Sequence, residues 1–187
     1  MLLTKRDDEI RDFLKEVSIA DTSTINTLFF NGSIRSCQRR LKQLTEYKFI
    51  KRLDRVYLNQ EYLYYVNKMP TQLEHKLIFS QFLGKLKELG ADIIKYRPTF
   101  KVCNIIPDGF VAFTYNNRNY ITLVEIERTK DFNIDKYLDI INTEEFKNTF
   151  PITPFITVIS NKEVKSNKKL DIVNVKLDFS DLENILW

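Results

Sequence analysis

Three acids in the stretch IIPDGFVAFTYNNRNYITLVEIERTK, residues 105–130, have the type and spacing to do chemistry. Asp108 follows Pro107, and Glu125 and Glu127 close the apolar run ITLVEIE. Carboxylates are hard oxygen donors. Mg²⁺ takes one or two of them together with water and phosphate in near-octahedral geometry. Asp108 and Glu125 are therefore the candidate metal ligands. A metal site of this kind could cut or grip nucleic acid. Residues two apart on a strand share a face, so Glu125 and Glu127 are expected side by side. Clustered carboxylates repel one another unless a cation neutralises them. Arg128, Lys130 and Lys136 are close enough in sequence to do so without a metal. The acids thus read either as a metal site or as a neutralised structural cluster.

Asp108 and Glu125 stand 17 residues apart, the reach of one hairpin. NIIPDGFVAFTY and YITLVEIE read as its strands, and NNRN at 116–119 supplies turn residues that tolerate positive φ. Upstream, TQLEHKLIFSQFLGKLKELG predicts a helix lined by Leu73, Leu77, Phe82, Leu86 and Leu89 and stopped by Gly90, followed by a strand, DIIKYRPTF. Downstream come a helix over FNIDKYLDIINTEEF, a buried strand PFITVIS, a strand DIVNVKLDF and a short helix ending at Trp187. This order of helix, three-strand meander, helix and strand, with PD on one strand and E-x-E on the next, resembles the PD-(D/E)xK nuclease core. The resemblance implies that Asp108 and Glu125 hold Mg²⁺ and that a third residue orients water. The lysine usual at that third position is Glu127 here, and either Glu127 itself or Lys136 from the next helix would take the role.

A second chemistry lies nearer the N-terminus. The chain has 187 residues and a net charge of +4. Residues 1–68 hold 13 Lys and Arg against 9 Asp and Glu, whereas residues 69–187 hold 16 of each. Residues 33–55 concentrate eight basic residues against Glu46 and Asp54. A local excess of this kind suits a polyanion.

The periodicity around it predicts three helices. KRDDEIRDFLKEV carries Ile10, Phe13, Leu14 and Val17 on one face, with Asp7, Asp8 and Glu9 favouring its first turn. A short second helix, capped by Asp21, Thr22 or Ser23, bears Ile25, Leu28 and Phe29, and Asn31-Gly32 ends it. Ser33 caps the third, SIRSCQRRLKQLTEY. Ile34, Cys37, Leu41 and Leu44 take its inner face, and Arg35, Gln38, Arg39 and Lys42 its outer one. That division suits a recognition helix, whose outer donors read base edges in the major groove. Two short strands, Phe49–Leu53 and Val56–Leu58, with a turn at Asp54-Arg55, would form a wing. Lys51, Arg52 and Arg55 would then grip the backbone. SIRSCQRRLKQLTEYKFIKRL resembles the third helix and wing of bacterial winged-helix proteins. EYLYYVNKMP, 61–70, reads as a tyrosine-rich connector.

The expected fold is therefore α+β / α/β. An N-terminal winged helix-turn-helix, 1–68, is followed by a PD-(D/E)xK-like α/β domain with a mixed sheet, 69–187. A composition 43% hydrophobic and 29% charged fits a globular chain. Its apolar runs fall short of the ~20 residues of a membrane span, and the acidic, polar start argues against a signal peptide. Cys37 and Cys103 form no zinc motif, and a cytoplasmic setting follows.

The pieces LEHKL at 73–77, IPDGF at 106–110, LVEIERTKD at 123–131 and DKY at 135–137, behind a winged helix, resemble the replication-relaxation family of plasmids and mobile elements. The resemblance implies DNA binding in replication, transfer or their control. The first reading is a double-stranded DNA-binding protein serving replication, conjugative transfer or its regulation, with a homodimer as the usual arrangement and relaxase or replication proteins as partners. That reading needs no cofactor. The competing one is a Mg²⁺-dependent endonuclease targeted by the winged helix. His75 reads as a packed or capping residue.

Overall fold

The computed structural model describes residues 2–55, 57, 60–165 and 167–186. These form a mixed α+β chain that divides into two compact units, Met1–Glu88 and Leu89–Trp187. No helix among the described residues is long and apolar enough to cross a membrane.

In the first unit, α1 (Lys5–Val17) buries the expected stripe of Ile10, Phe13, Leu14 and Val17. A two-residue strand, β1 (Ala20–Asp21), leads into α2 (Thr22–Phe29). Among the three capping candidates Asp21 is the one that caps: its carboxylate accepts the Thr24 N–H at 2.8 Å. The chain then turns through Asn31 (φ 48°) and Gly32 (φ 81°) into α3 (Ile34–Glu46). Only glycine adopts the Gly32 conformation without steric penalty. Cys37, Leu41 and Leu44 are buried. Ile34, the first residue of α3 and expected with them, is 41% exposed. Ser33 occupies the N-cap position, but its hydroxyl donates to Ser36 Oγ rather than capping a backbone N–H.

The sheet of this unit runs β1-β3-β2, all antiparallel, with β2 at Lys51–Leu53 and β3 at Leu63–Tyr65. The second strand expected at 56–58 is thus supplied later, by the segment read as a connector. Val56 and Leu58 lie outside the described residues. Tyr64 is buried where β3 crosses both β1 and β2. The helix α4 (Leu73–Glu88) packs on α2, β1 and α1. It was expected beyond a boundary at 68–69, yet it completes the first unit. Phe79, Phe82, Leu83 and Leu86 make its buried face. Leu73, Leu77 and Leu89 from the expected stripe are only half-buried.

The second unit is a five-stranded sheet in the order β4-β5-β6-β7-β8. β4 (Asp92–Pro98), β5 (Gly109–Tyr115) and β6 (Arg118–Ile126) form an antiparallel meander. The predicted hairpin turn is present. Asn116 and Asn117 take φ of 47° and 61° between the paired Tyr115 and Arg118, which matches the right-handed twist of the strands. β7 (Phe155–Ile159) lies parallel to β6, and β8 (Ile172–Val175) parallel to β7. A parallel neighbour needs a crossover. Here it carries two short helices, α5 (Asp135–Leu138) and α6 (Glu144–Thr149), not the single helix expected over 132–146. Thr143 breaks it by accepting the Phe146 N–H and starting a new helix. The core gathers Phe110, Leu123, Tyr137, Phe146, Ile156 and Val158. A 3₁₀ turn at Leu182–Ile185 stands where the terminal helix was expected; Trp187 lies outside the described residues.

Candidate functional site

The first unit presents its cations on one side of α3 and on the adjoining strand. Arg35, Gln38, Arg39 and Lys42 are all exposed, opposite the buried Cys37, Leu41 and Leu44. Burial holds the Cys37 thiol up at about 12, so it is an inert core group. Arg40, on the same helix, is turned inward instead. Its Nε donates to Asp7 Oδ1 at 2.9 Å, and its Nη2 to Asp7 Oδ2 and to the Leu2 carbonyl. One of the eight basic residues in the 33–55 cluster is thus committed to the fold. Lys42 makes only a loose exposed pair with Glu46, at 3.8 Å.

The outer face of α3 borders a cleft of about 710 Å³ whose wall includes Gln38, Lys42, Arg52, Arg55 and Tyr62. Across it, Arg52 and Arg55 lie over the Tyr62 ring, 4.2 and 4.3 Å from its centroid. Lys51 donates to the Asn67 carbonyl at 2.8 Å and is exposed. Arg52 pairs with Asp54 at 2.8 Å. The seven residues expected to meet nucleic acid therefore lie on α3 and on the β2 end that adjoins it. Tyr62 was not anticipated; an aromatic ring in sequence between two basic residues and the β3 strand was the signal.

In the second unit the strand register brings Asp108 and Glu125 together. Gly109 pairs with Val124, which places Asp108 one step beyond, next to Glu125 on the neighbouring strand. Asp108 Oδ2 accepts the Ile126 N–H at 2.8 Å, and the Asp108 carbonyl accepts the Thr99 N–H at 2.8 Å. Glu125 is 4% exposed. Its Oε1 accepts both the Tyr137 hydroxyl and, at 2.8 Å, Lys136 Nζ. Burial raises the Glu125 carboxyl above its ordinary value; hydrogen bonds from Lys136 and Tyr137 oppose that, and the Asp108 charge adds to it. Burial and the neighbouring Glu125 push the Tyr137 phenol up as well.

Glu127 is the third acid of the sequence cluster. It follows the last residue of β6, is half-buried, and its backbone N–H donates to the Ile159 carbonyl at 3.0 Å. That bond extends the β6–β7 pairing one step beyond Ile126. Among the described residues no three His, Cys, Asp or Glu side chains group closely enough to hold a metal ion. Asp108 and Glu125 are the two carboxylates that could share one, with Lys136 already bonded to Glu125. Tyr137 is the residue that sequence reasoning missed here. A tyrosine on the inner face of a short crossover helix needs a partner for its hydroxyl, and that need was the available signal.

No protein-family model matches the chain, and no curated protein matches it either.

Proposed function

We propose that this protein binds double-stranded DNA through its first unit, read as a winged helix with α3 as recognition helix. The observation that carries the reading is the exposed polar face of α3. Arg35, Gln38, Arg39 and Lys42 line one side of the helix, and its Gln38 and Lys42 share a cleft with Arg52 and Arg55. Arg and Gln in that arrangement offer bidentate donors to guanine and adenine edges. Lys51, Arg52 and Arg55 supply phosphate contacts, which give most of the affinity and its salt dependence. On this reading the protein acts in the cytoplasm, as a homodimer on a two-fold site. It serves replication, conjugative transfer or its regulation in a plasmid or mobile element, with relaxase or replication proteins as partners. The second unit, read as a PD-(D/E)xK-like domain, then serves docking or dimerisation. The test is a gel shift on DNA flanking the protein's own gene, in EDTA, at two salt concentrations. A discrete, salt-sensitive shift supports the reading; no shift at low salt refutes it.

One observation favours a second reading, a Mg²⁺-dependent endonuclease. Asp108, Glu125 and Lys136 converge although they come from the residue before β5, from β6 and from a crossover helix. If a Mg²⁺ ion sits there, Asp108 and Glu125 hold it and it supplies Lewis-acid activation of the phosphate. Lys136 and Tyr137 orient the Glu125 carboxylate. Nicking in Mg²⁺ or Mn²⁺ that disappears in Asp108→Ala, with DNA binding intact, selects this reading. Binding without nicking selects the first.

A further inference from the structure

We propose that Tyr62 is a positioning residue of the DNA-binding surface: its ring holds Arg52 and Arg55 as a paired phosphate clamp at the rim of the α3 cleft. The inference rests on the DNA-binding reading and adds a device to it. Two guanidiniums lie over one aromatic ring, at 4.2 and 4.3 Å from its centroid. Arg55 Nη2 also donates to the Tyr62 hydroxyl at 3.1 Å. Arg52 is also held by Asp54, with Nε–Oδ1 at 3.1 Å. Two like charges gather at one place only where something attractive offsets their repulsion. The face of the tyrosine ring supplies that attraction to both.

The ring itself stands on a fixed base. The Tyr62 carbonyl accepts the Thr22 hydroxyl at 3.4 Å. Its neighbour Glu61 accepts the Ser23 N–H at 2.7 Å and the Ser23 hydroxyl at 2.5 Å. Residues 61–62 are thereby tied to the start of α2, the helix that precedes α3 in the chain. The register of the two arginines relative to Gln38 and Lys42 across the cleft follows from this anchoring. At Arg52 a phosphate replaces Asp54 on the Nε and Nη2 edge that now holds the carboxylate, and a stacked guanidinium presents such an edge in the two-pronged geometry that a phosphate accepts. It has also lost its side-chain freedom before the DNA arrives, which is the usual gain from preorganisation. Tyr62 thus acts through the arginines and does not itself touch the duplex.

The test measures affinity for a mixed-sequence duplex by fluorescence anisotropy across a salt series, for the wild type and four variants. Phosphates need no matched site, so this probe suffices. Tyr62→Leu is expected to weaken binding about tenfold at low salt. The slope of log affinity against log salt becomes shallower by about 0.9 for each phosphate that is no longer neutralised. Tyr62→Phe keeps the ring and is expected to retain most of the affinity and the slope. Arg52→Ala/Arg55→Ala reproduces the Tyr62→Leu slope, and adding Tyr62→Leu to that pair changes nothing further. Additive losses in the triple variant, or an unchanged slope in Tyr62→Leu, overturn the proposal, because a merely structural tyrosine acts without the arginines. A wild type that shows no salt-dependent binding removes the DNA-binding reading and this inference with it. Unchanged melting of Tyr62→Leu by circular dichroism confirms that a fall in affinity arises at the clamp.

Discussion

The two units each bury a carboxylate against a cation, and the two carboxylates are driven in opposite directions. In the first unit Asp7 is fully buried, yet its carboxyl is held down at about 2. Burial pushes it up. Both prongs of Arg40 and the N–H and hydroxyl of Thr4, each of the latter at 2.7 Å, more than offset that. In the second unit Glu125 receives two donors on one oxygen and has the Asp108 charge beside it, and burial wins. The lesson concerns donor count. A buried carboxylate with four donors stays charged and ties elements together, here the first turn of α1 to α3. One with two donors and a like-charged neighbour is poised to take a proton or to gain from another cation. The first arrangement is structural; the second is the one that could serve chemistry.

The largest expected effect breaks the first pair. Arg40→Met leaves Asp7 buried without its cation and should destabilise the protein by about 3 kcal/mol, read as the midpoint in a urea titration. A change within about 0.5 kcal/mol would show that Asp7 does not depend on Arg40. The loss should shrink in acid. Asp7 contributes stability that is fully present above its unfolded value of 3.8 and is lost as pH falls through about 2.

A smaller effect, of opposite sense, is expected at Glu125. Its folded-state value is raised, so its contribution is fully present below the unfolded value of 4.5 and is lost as pH rises through the raised value. Glu125→Gln removes that loss and leaves an acceptor for Tyr137. Stability at neutral pH should therefore stay level or rise by about 1 kcal/mol, with a flatter stability–pH curve above pH 4.5. A clear destabilisation would mean that the Lys136 pair outweighs the burial.

Of similar size is Tyr137→Phe, which removes one donor from Glu125 at constant volume. About 1 kcal/mol is expected, together with a further rise of the Glu125 value seen by carboxyl titration in the NMR spectrum. An unmoved titration would separate Tyr137 from the cluster.

Much of this was legible in the sequence where periodicity alone decides. The α1 stripe of Ile10, Phe13, Leu14 and Val17 and the inner residues Cys37, Leu41 and Leu44 of α3 follow from 3.6-residue spacing. The Asn116-Asn117 turn follows from residues that accept positive φ. Where a partner decides, the sequence was silent. The residues of α4 show an apolar face but not that α2 and β1 would cover it. YLYY reads as an aromatic run, so the strand at Leu63–Tyr65 was misplaced. Thr143 inside an apparently helical stretch is a cap only once Phe146 N–H is aimed at it. Glu125 and Glu127 look equivalent by alternation, but only Glu125 is buried, whereas Glu127, just past the end of β6, is half-buried. The Asp108–Glu125 neighbourhood was readable from hairpin length, whereas the inward turn of Arg40 and the Tyr137 hydroxyl bond depend on tertiary packing.

The central claim is that the outward cations of α3 meet DNA. It is tested most directly by reversing two of them, Arg39→Glu with Lys42→Glu, and measuring duplex affinity across salt concentrations beside the wild type. The account predicts an unchanged melting temperature, since both side chains are exposed. It also predicts at least a roughly hundredfold loss of affinity, of the order expected when two phosphate or base contacts become repulsive. Wild-type affinity in the doubly reversed protein would contradict it.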